Sequence, residues 1–146
     1  MEEPGPAPEL SLRCTSRFPE VRLRELRPWL ARLLASQGAA GASLGVLFTG
    51  DRTIRRLNRE YRGKDAATDV LSFHGDETPE GPHLGDLALS VPAARRQAAA
   101  RGYDARREIR LLLLHGVLHL LGYDHERDEG EMERLERGLR RRWIDG

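Results

Sequence analysis

One cysteine and one lysine are all that this chain carries of either residue, and both scarcities narrow its chemistry. With Cys14 alone, no intrachain disulfide can form, and nothing in the sequence calls for an oxidising compartment. Lys64 is the only lysine among 24 basic residues. GC-rich coding is the first explanation of that bias, although arginine is also the better fork for phosphate. No run of membrane-spanning length exists either. The longest apolar stretch, Leu111 to Leu121, has eleven residues and two histidines within it, well short of the ~20 that a span needs. The start, Met-Glu-Glu-Pro-Gly-Pro-Ala-Pro, lacks the basic head and apolar run of a signal peptide. Residues 1–9 therefore read as a frayed polar lead-in, and the expected location is cytoplasmic. A formal net charge of +1 does not advertise a nucleic-acid binder, so such a partner has to be argued from local patches.

A chain of 146 residues suits one domain, here residues 10–146. Strands are expected at Leu10 to Cys14, Ala42 to Phe48, Thr68 to Phe73 and Leu87 to Ser90, with a Gly/Pro-rich loop from about Gly75 to Gly85. Helical spacing runs from Val21 to Gln37 and from Asp51 to Tyr61. Ser90 and Pro92 open a helix that Gly102 stops, Asp104 caps the apolar helix that follows, and a charged helix runs from about Glu129 to Trp143. The expected fold is a single α+β domain, a small mixed sheet packed on one buried central helix.

That central helix carries the most informative segment, His115-Gly-Val-Leu-His119-Leu-Leu-Gly122-Tyr-Asp-His125. Two histidines at i and i+4 share a helix face and reach one ion. Gly122 offers the left-handed backbone that ends a helix, which would return His125 toward the same point. Polar rings on so apolar a helix need partners, and a shared ion supplies one. Three imidazoles without a fourth protein ligand describe a catalytic zinc site with one open position, so His115, His119 and His125 are the expected ligands of one zinc per chain. His74 and His83 fall outside that set. The offsets match those of zinc peptidases, but Gly116 stands where their general-base glutamate belongs, which removes the best evidence for peptide hydrolysis.

A second set of residues precedes the histidines: Leu57-Asn58-Arg59-Glu60-Tyr61-Arg62-Gly63-Lys64-Asp65, Thr68-Asp69-Val70-Leu71-Ser72-Phe73 and Leu84-Gly85-Asp86. With the histidine motif, and over about Leu44 to the C-terminus, this order closely resembles the YbeY family of bacterial endoribonucleases. The resemblance implies a zinc-dependent, single-strand-directed RNase in 16S rRNA 3′-end maturation and ribosome quality control. It implies ribosomal RNA, the small ribosomal subunit and its assembly proteins as partners. Arg62 matches an arginine associated with activity in that family, and a guanidinium beside an open zinc position can hold phosphate bidentately. Lys64 is a candidate second phosphate contact. Asp69 is read mainly as a pin for a turn. Asp86 either supports a zinc-bound imidazole or satisfies loop amides, Asp124 is a base or a cap, and Arg140 to Arg142 either complement a helix dipole, which explains them adequately, or form a basic edge that touches RNA. A zinc peptidase-like hydrolase and a non-catalytic assembly factor with a structural metal are the alternatives. Whether zinc-activated water or the RNA 2′-OH is the nucleophile stays open.

Overall fold

The computed structural model describes residues 9–124 and 126–145. The N-terminal lead-in expected over residues 1–9 therefore lies, except for Glu9, outside the described residues, and so does His125. The elements run β1 (Leu10–Cys14), α1 (Leu23–Ser36), β2 (Ser43–Thr49), α2 (Asp51–Arg62), β3 (Val70–His74), β4 (Glu77–Thr78), β5 (Gly81–Ser90), α3 (Val91–Arg101), α4 (Ala105–Leu120) and α5 (Glu131–Trp143). The sheet order is β1-β2-β5-β3, with β4 paired to the start of β5. β1, β2 and β5 are parallel, and β3 runs antiparallel to β5. The fold is thus α+β with a mixed sheet, as the element pattern implied. Among the described residues no helix is long and apolar enough to cross a membrane.

Alternation places the sheet's apolar face inward. Leu44, Val46 and Phe48 of β2 and Leu87 and Leu89 of β5 are buried in one core with the α1 stripe Leu26, Trp29, Leu30, Leu33 and Leu34. α4 is the centre of that core: Ile109, Leu113, Leu114, Val117 and Leu118 are each no more than 1% exposed. From Leu111 to the end of the helix only Leu111, His115 and His119 are half-buried rather than closed over, so this part of α4 is wrapped on every side but the one that carries its imidazoles. Local caps open α3 and α4. Ser90 Oγ accepts from Ala93 N at 3.1 Å and Asp104 Oδ1 from Arg106 N at 2.8 Å, the N-cap geometry their residue types favour.

Several boundaries differ from the sequence reading, among them β3, which runs Val70–His74 rather than Thr68 to Phe73, and β5, which begins at Gly81 rather than Leu87. The segment from Gly75 to Gly85 is mostly a hairpin rather than a loop, because Glu77–Thr78 pair with Gly81–Pro82. β5 accommodates its glycines through a register shift between Ser43 and Leu44 of the partner strand, the bulge that Gly inside a strand often marks. α5 starts at Glu131, since Asp128 accepts from Gly130 N at 2.8 Å and Met132 N at 2.9 Å. α1 starts at Leu23, leaving Val21 to pack on the core as a loop residue.

β3 is an edge of the sheet. Ser90 N donates to Asp69 O at 2.8 Å and Gly75 N to Leu84 O at 3.1 Å, which sets the odd-numbered residues against β5. The backbone groups of Val70, Ser72 and His74 consequently face away from the sheet.

Gly116 permits the contact between α4 and the sheet. A Cβ there would lie 2.8 Å from Leu87 Cδ2 and 3.0 Å from Cδ1. Gly116→Ala is predicted to destabilise the protein by about 1–3 kcal/mol through overpacking. Equilibrium denaturation measures this, and an unchanged midpoint would show that helix and strand can separate there at no cost.

Candidate active site

The open stripe of α4 forms the floor of a cleft of about 780 Å³. β3 and the segment before it supply one wall with Thr68, Asp69, Val70 and Ser72, while Arg62 and Lys64 stand at its rim. The cleft thus brings together the two histidines of α4 and both cationic residues singled out from sequence.

His115 and His119 lie one turn apart with their Nε2 atoms 3.1 Å apart. Their rings meet edge-on at a centroid distance of 4.7 Å. Two imidazole nitrogens on one tetrahedral ion, each at 2.0–2.1 Å from it, stand about 3.3–3.4 Å from each other. The pair is therefore close to the spacing of shared ligands, and neutral imidazoles are suitable donors for zinc. Gly122, at φ 102°, ends the helix, with Gly122 N bonded to His119 O and Tyr123 N to Leu118 O. Asp124 then lines the cleft. Its Oδ1 accepts from Glu126 N at 3.0 Å and its Oδ2 faces Arg127 at 3.5 Å, so it caps the turn. The third expected ligand, His125, lies outside the described residues, and among the described residues no group of three potential ligands is assembled.

Glu136 of α5 is the neighbour that sequence reasoning missed. Its Oε1 and Oε2 lie 3.2 and 3.4 Å from His115 Nδ1. A carboxylate on Nδ1 fixes the tautomer and leaves Nε2 with its lone pair toward the cleft. The bond from Glu136 raises the His115 pKa against the opposing effect of burial, helped by the charges of Glu136 and Asp69. Burial pushes Glu136 upward, but the His115 bond and the charges of His115, Arg140 and His119 outweigh it and hold the carboxyl below its usual range. A signal did exist. Met132, Leu135 and Leu139 form the core-facing stripe of α5, and Glu136 is the acid set into that face.

Arg62 lies at the end of α2 and wraps the edge of β3. Its Nη2 donates to Ser72 O, and its guanidinium carbon sits 5.4 Å from the Phe73 ring centroid. Asp69 pins the cleft wall: Oδ1 accepts from Val70 N at 2.8 Å and Oδ2 from Gln97 Nε2 at 3.1 Å. Asp86 does neither of the things expected of it. Its Oδ2 pairs with His83 Nε2 at 3.0 Å, while His83 Nδ1 meets Ser43 Oγ at 2.6 Å. His74 does line the cleft beside His119, and Met132 is fully buried in the core. Arg140 also lines the cleft, which its reading as a dipole complement does not require.

In metal-free protein the charged His115–Glu136 pair contributes stability that is fully present between the ordinary values of about 4.5 and 6.5. It is lost above that window as pH rises through the raised His115 pKa, and below it as pH falls through the lowered Glu136 pKa. Glu136→Gln is predicted to lower the His115 pKa in metal-free protein, as read from its ring protons by NMR. An identical titration curve in the variant would remove Glu136 as the cause.

A family model described as Endoribonuclease YbeY matches residues 13–143. Proteins named Endoribonuclease YbeY are similar over most of the chain. That of Solibacter usitatus is 48% identical, covering 92% of this chain and 88% of the relative. That of Bacillus licheniformis is 44% identical, with 82% of each covered. The Thermus thermophilus protein is 45% identical over 77% of this chain and 84% of its own. The solution structure of TM1509 from Thermotoga maritima shares the fold at a TM-score of 0.65 and 21% identity, covering 93% of this chain and 92% of that one. The matched span takes in Arg62, Lys64 and all three motif histidines, and on these similarities the chain belongs to the YbeY endoribonuclease family.

Proposed function

We propose that this chain is a zinc-dependent endoribonuclease of single-stranded RNA that acts in 16S rRNA 3′-end maturation and ribosome quality control. Its proposed setting is the cytoplasm, with ribosomal RNA, the small ribosomal subunit and its assembly proteins as partners. The observation that carries the reading is the imidazole pair, 3.1 Å apart at Nε2, on the floor of a cleft rimmed by Arg62 and Lys64. Membership of a family named for RNA cleavage supports it.

His115 and His119, with His125 from outside the described residues, are the residues that would hold one zinc per chain. Zinc so held supplies Lewis acidity, which polarises a phosphoryl oxygen and makes water nucleophilic near neutral pH. Glu136 holds His115 in the orientation that such binding needs. Arg62 spends one nitrogen on the Ser72 carbonyl and keeps its other N–H groups for a phosphate, where its charge meets the negative charge of the transition state. Lys64 adds a mobile positive charge on the same rim. Peptidase chemistry has no comparable support. The position of the missing glutamate is Gly116, packed against Leu87 with no room for a side chain.

Purified protein should contain about one zinc per chain, and His115→Ala should lose it. Single-stranded RNA should be cut in a chelator-sensitive way, and unstructured peptides should not. Robust proteolysis would sink the nuclease reading. RNA binding without any cleavage would favour an assembly factor with a structural metal. Arg62→Ala should keep zinc and fold while losing on the order of 2–4 kcal/mol of transition-state stabilisation; full activity would remove it from the mechanism. A single 2′-deoxy sugar at the cut site identifies the nucleophile. Cleavage that continues and leaves a 5′-phosphate means water, whereas abolished cleavage with a 2′,3′-cyclic end on the normal product means the 2′-OH.

A further inference from the structure

We propose that the end of the cleft beyond the imidazoles is a phosphate subsite, formed by Arg140 and Arg101, for a neighbouring nucleotide of single-stranded RNA. It deepens the reading of the cleft as an RNA-cleaving site and rests on it. The first observation is an orphan. Arg140 Nε is buried and has no hydrogen-bond partner among the described residues. Buried polar atoms are nearly always paired, and a guanidinium has five donors to satisfy. Trp143 Nε1 is in the same condition, but only Arg140 lines the cleft. Glu136, one turn back on α5, has its hydrogen bonds on His115 and interacts with Arg140 through charge alone.

The second observation is register. His115 meets Glu136, and Arg107 Nε meets Asp145 Oδ1 at 3.1 Å, so α5 runs antiparallel to α4. That places Arg140 level with Leu111, one turn from His115 and about 6 Å along the helix axis. Arg101 approaches the same stretch from α3. It is anchored through Nη1 alone, on Glu108 Oε1 at 2.9 Å and Tyr103 OH at 3.3 Å. The carboxylate side chain that holds it is 2% exposed, while the arginine is 57% exposed. One nitrogen is fixed, and the rest of the fork opens on the cleft.

Leu111 and Leu112 line the same cleft as the two arginines, and the half-buried Leu111 offers an apolar surface suited to a sugar or base face. Two guanidinium forks in one cleft with such a surface fit a phosphodiester better than a point anion, since the fork matches paired oxygens. Arg62 and Lys64 would take the scissile phosphate at the imidazoles, and Arg140 and Arg101 the next one along the strand.

The test is binding of a nine-nucleotide 2′-O-methyl oligouridine to the protein as isolated, read by anisotropy over a salt series, with the oligonucleotide checked for integrity afterwards. Arg140→Gln should weaken binding about tenfold and reduce the slope of log affinity on log salt by about 0.7, the value of one phosphate contact on a single strand. Arg141→Gln, on the exposed side of the same helix, should change neither. If Arg140→Gln does not fold by circular dichroism, Arg140→Lys keeps the charge without Nε or the fork. It should then bind severalfold more weakly, and wild-type affinity would overturn the subsite. Wild-type protein that binds and cuts RNA while Arg140→Gln behaves as Arg141→Gln also overturns the subsite, alone. Wild-type protein that neither binds nor cuts RNA brings down the RNase reading, and the subsite with it.

Discussion

The close approach of α4 to β5 is the constraint on which this molecule turns. Gly116 lets the helix lie against Leu87, and the apolar residues around it close the remaining sides of the helix. The C-terminal half of a helix so enclosed has one stripe to offer, and that stripe carries His115 and His119. The site is therefore not placed on a flexible loop. It is the unclosed side of the core itself, with each imidazole held by the packing of its neighbours.

The same contact explains what the histidine pattern leaves out. Zinc peptidases with this spacing place a carboxylate directly after the first histidine. Here the position faces the sheet. A carboxylate reaches the first imidazole all the same, from Glu136 on a different helix and on the ring's far nitrogen. From that direction it can orient the ring but does not stand between the two Nε2 atoms.

Much of this was legible from sequence where the determinants are local. Ser90 and Asp104 cap their helices with their own side chains, Gly122 ends α4 with its own backbone, and the four-residue interval of His115 and His119 fixes their common face. Arg62 and Lys64 line one cleft with His115 and His119. What stayed hidden depends on pairing at a distance. The β4–β5 hairpin looked like a loop because Gly and Pro signal turns, and only the partner strand shows that a bulge absorbs them. Neither reading of Asp86, support of a zinc-bound imidazole or of loop amides, contains His83, to which β5 presents it. Glu136 and Arg140 sit on the inward side of α5, and their company is set by how that helix crosses α4, which no window along the chain contains.

The edge position of β3 has a consequence for the protein's behaviour in concentrated solution. An unpaired strand rim is a template on which another chain can build, and proteins avoid self-association by spoiling such rims with charge. Here Asp69 takes the amide of Val70 and Arg62 takes the carbonyl of Ser72. These are two of the groups a stray strand would need. The rim beside the cleft is thereby left open to a ligand that approaches through its charges, and spoiled for one that approaches through its backbone. Colloidal stability and access to the site are served by the same two side chains.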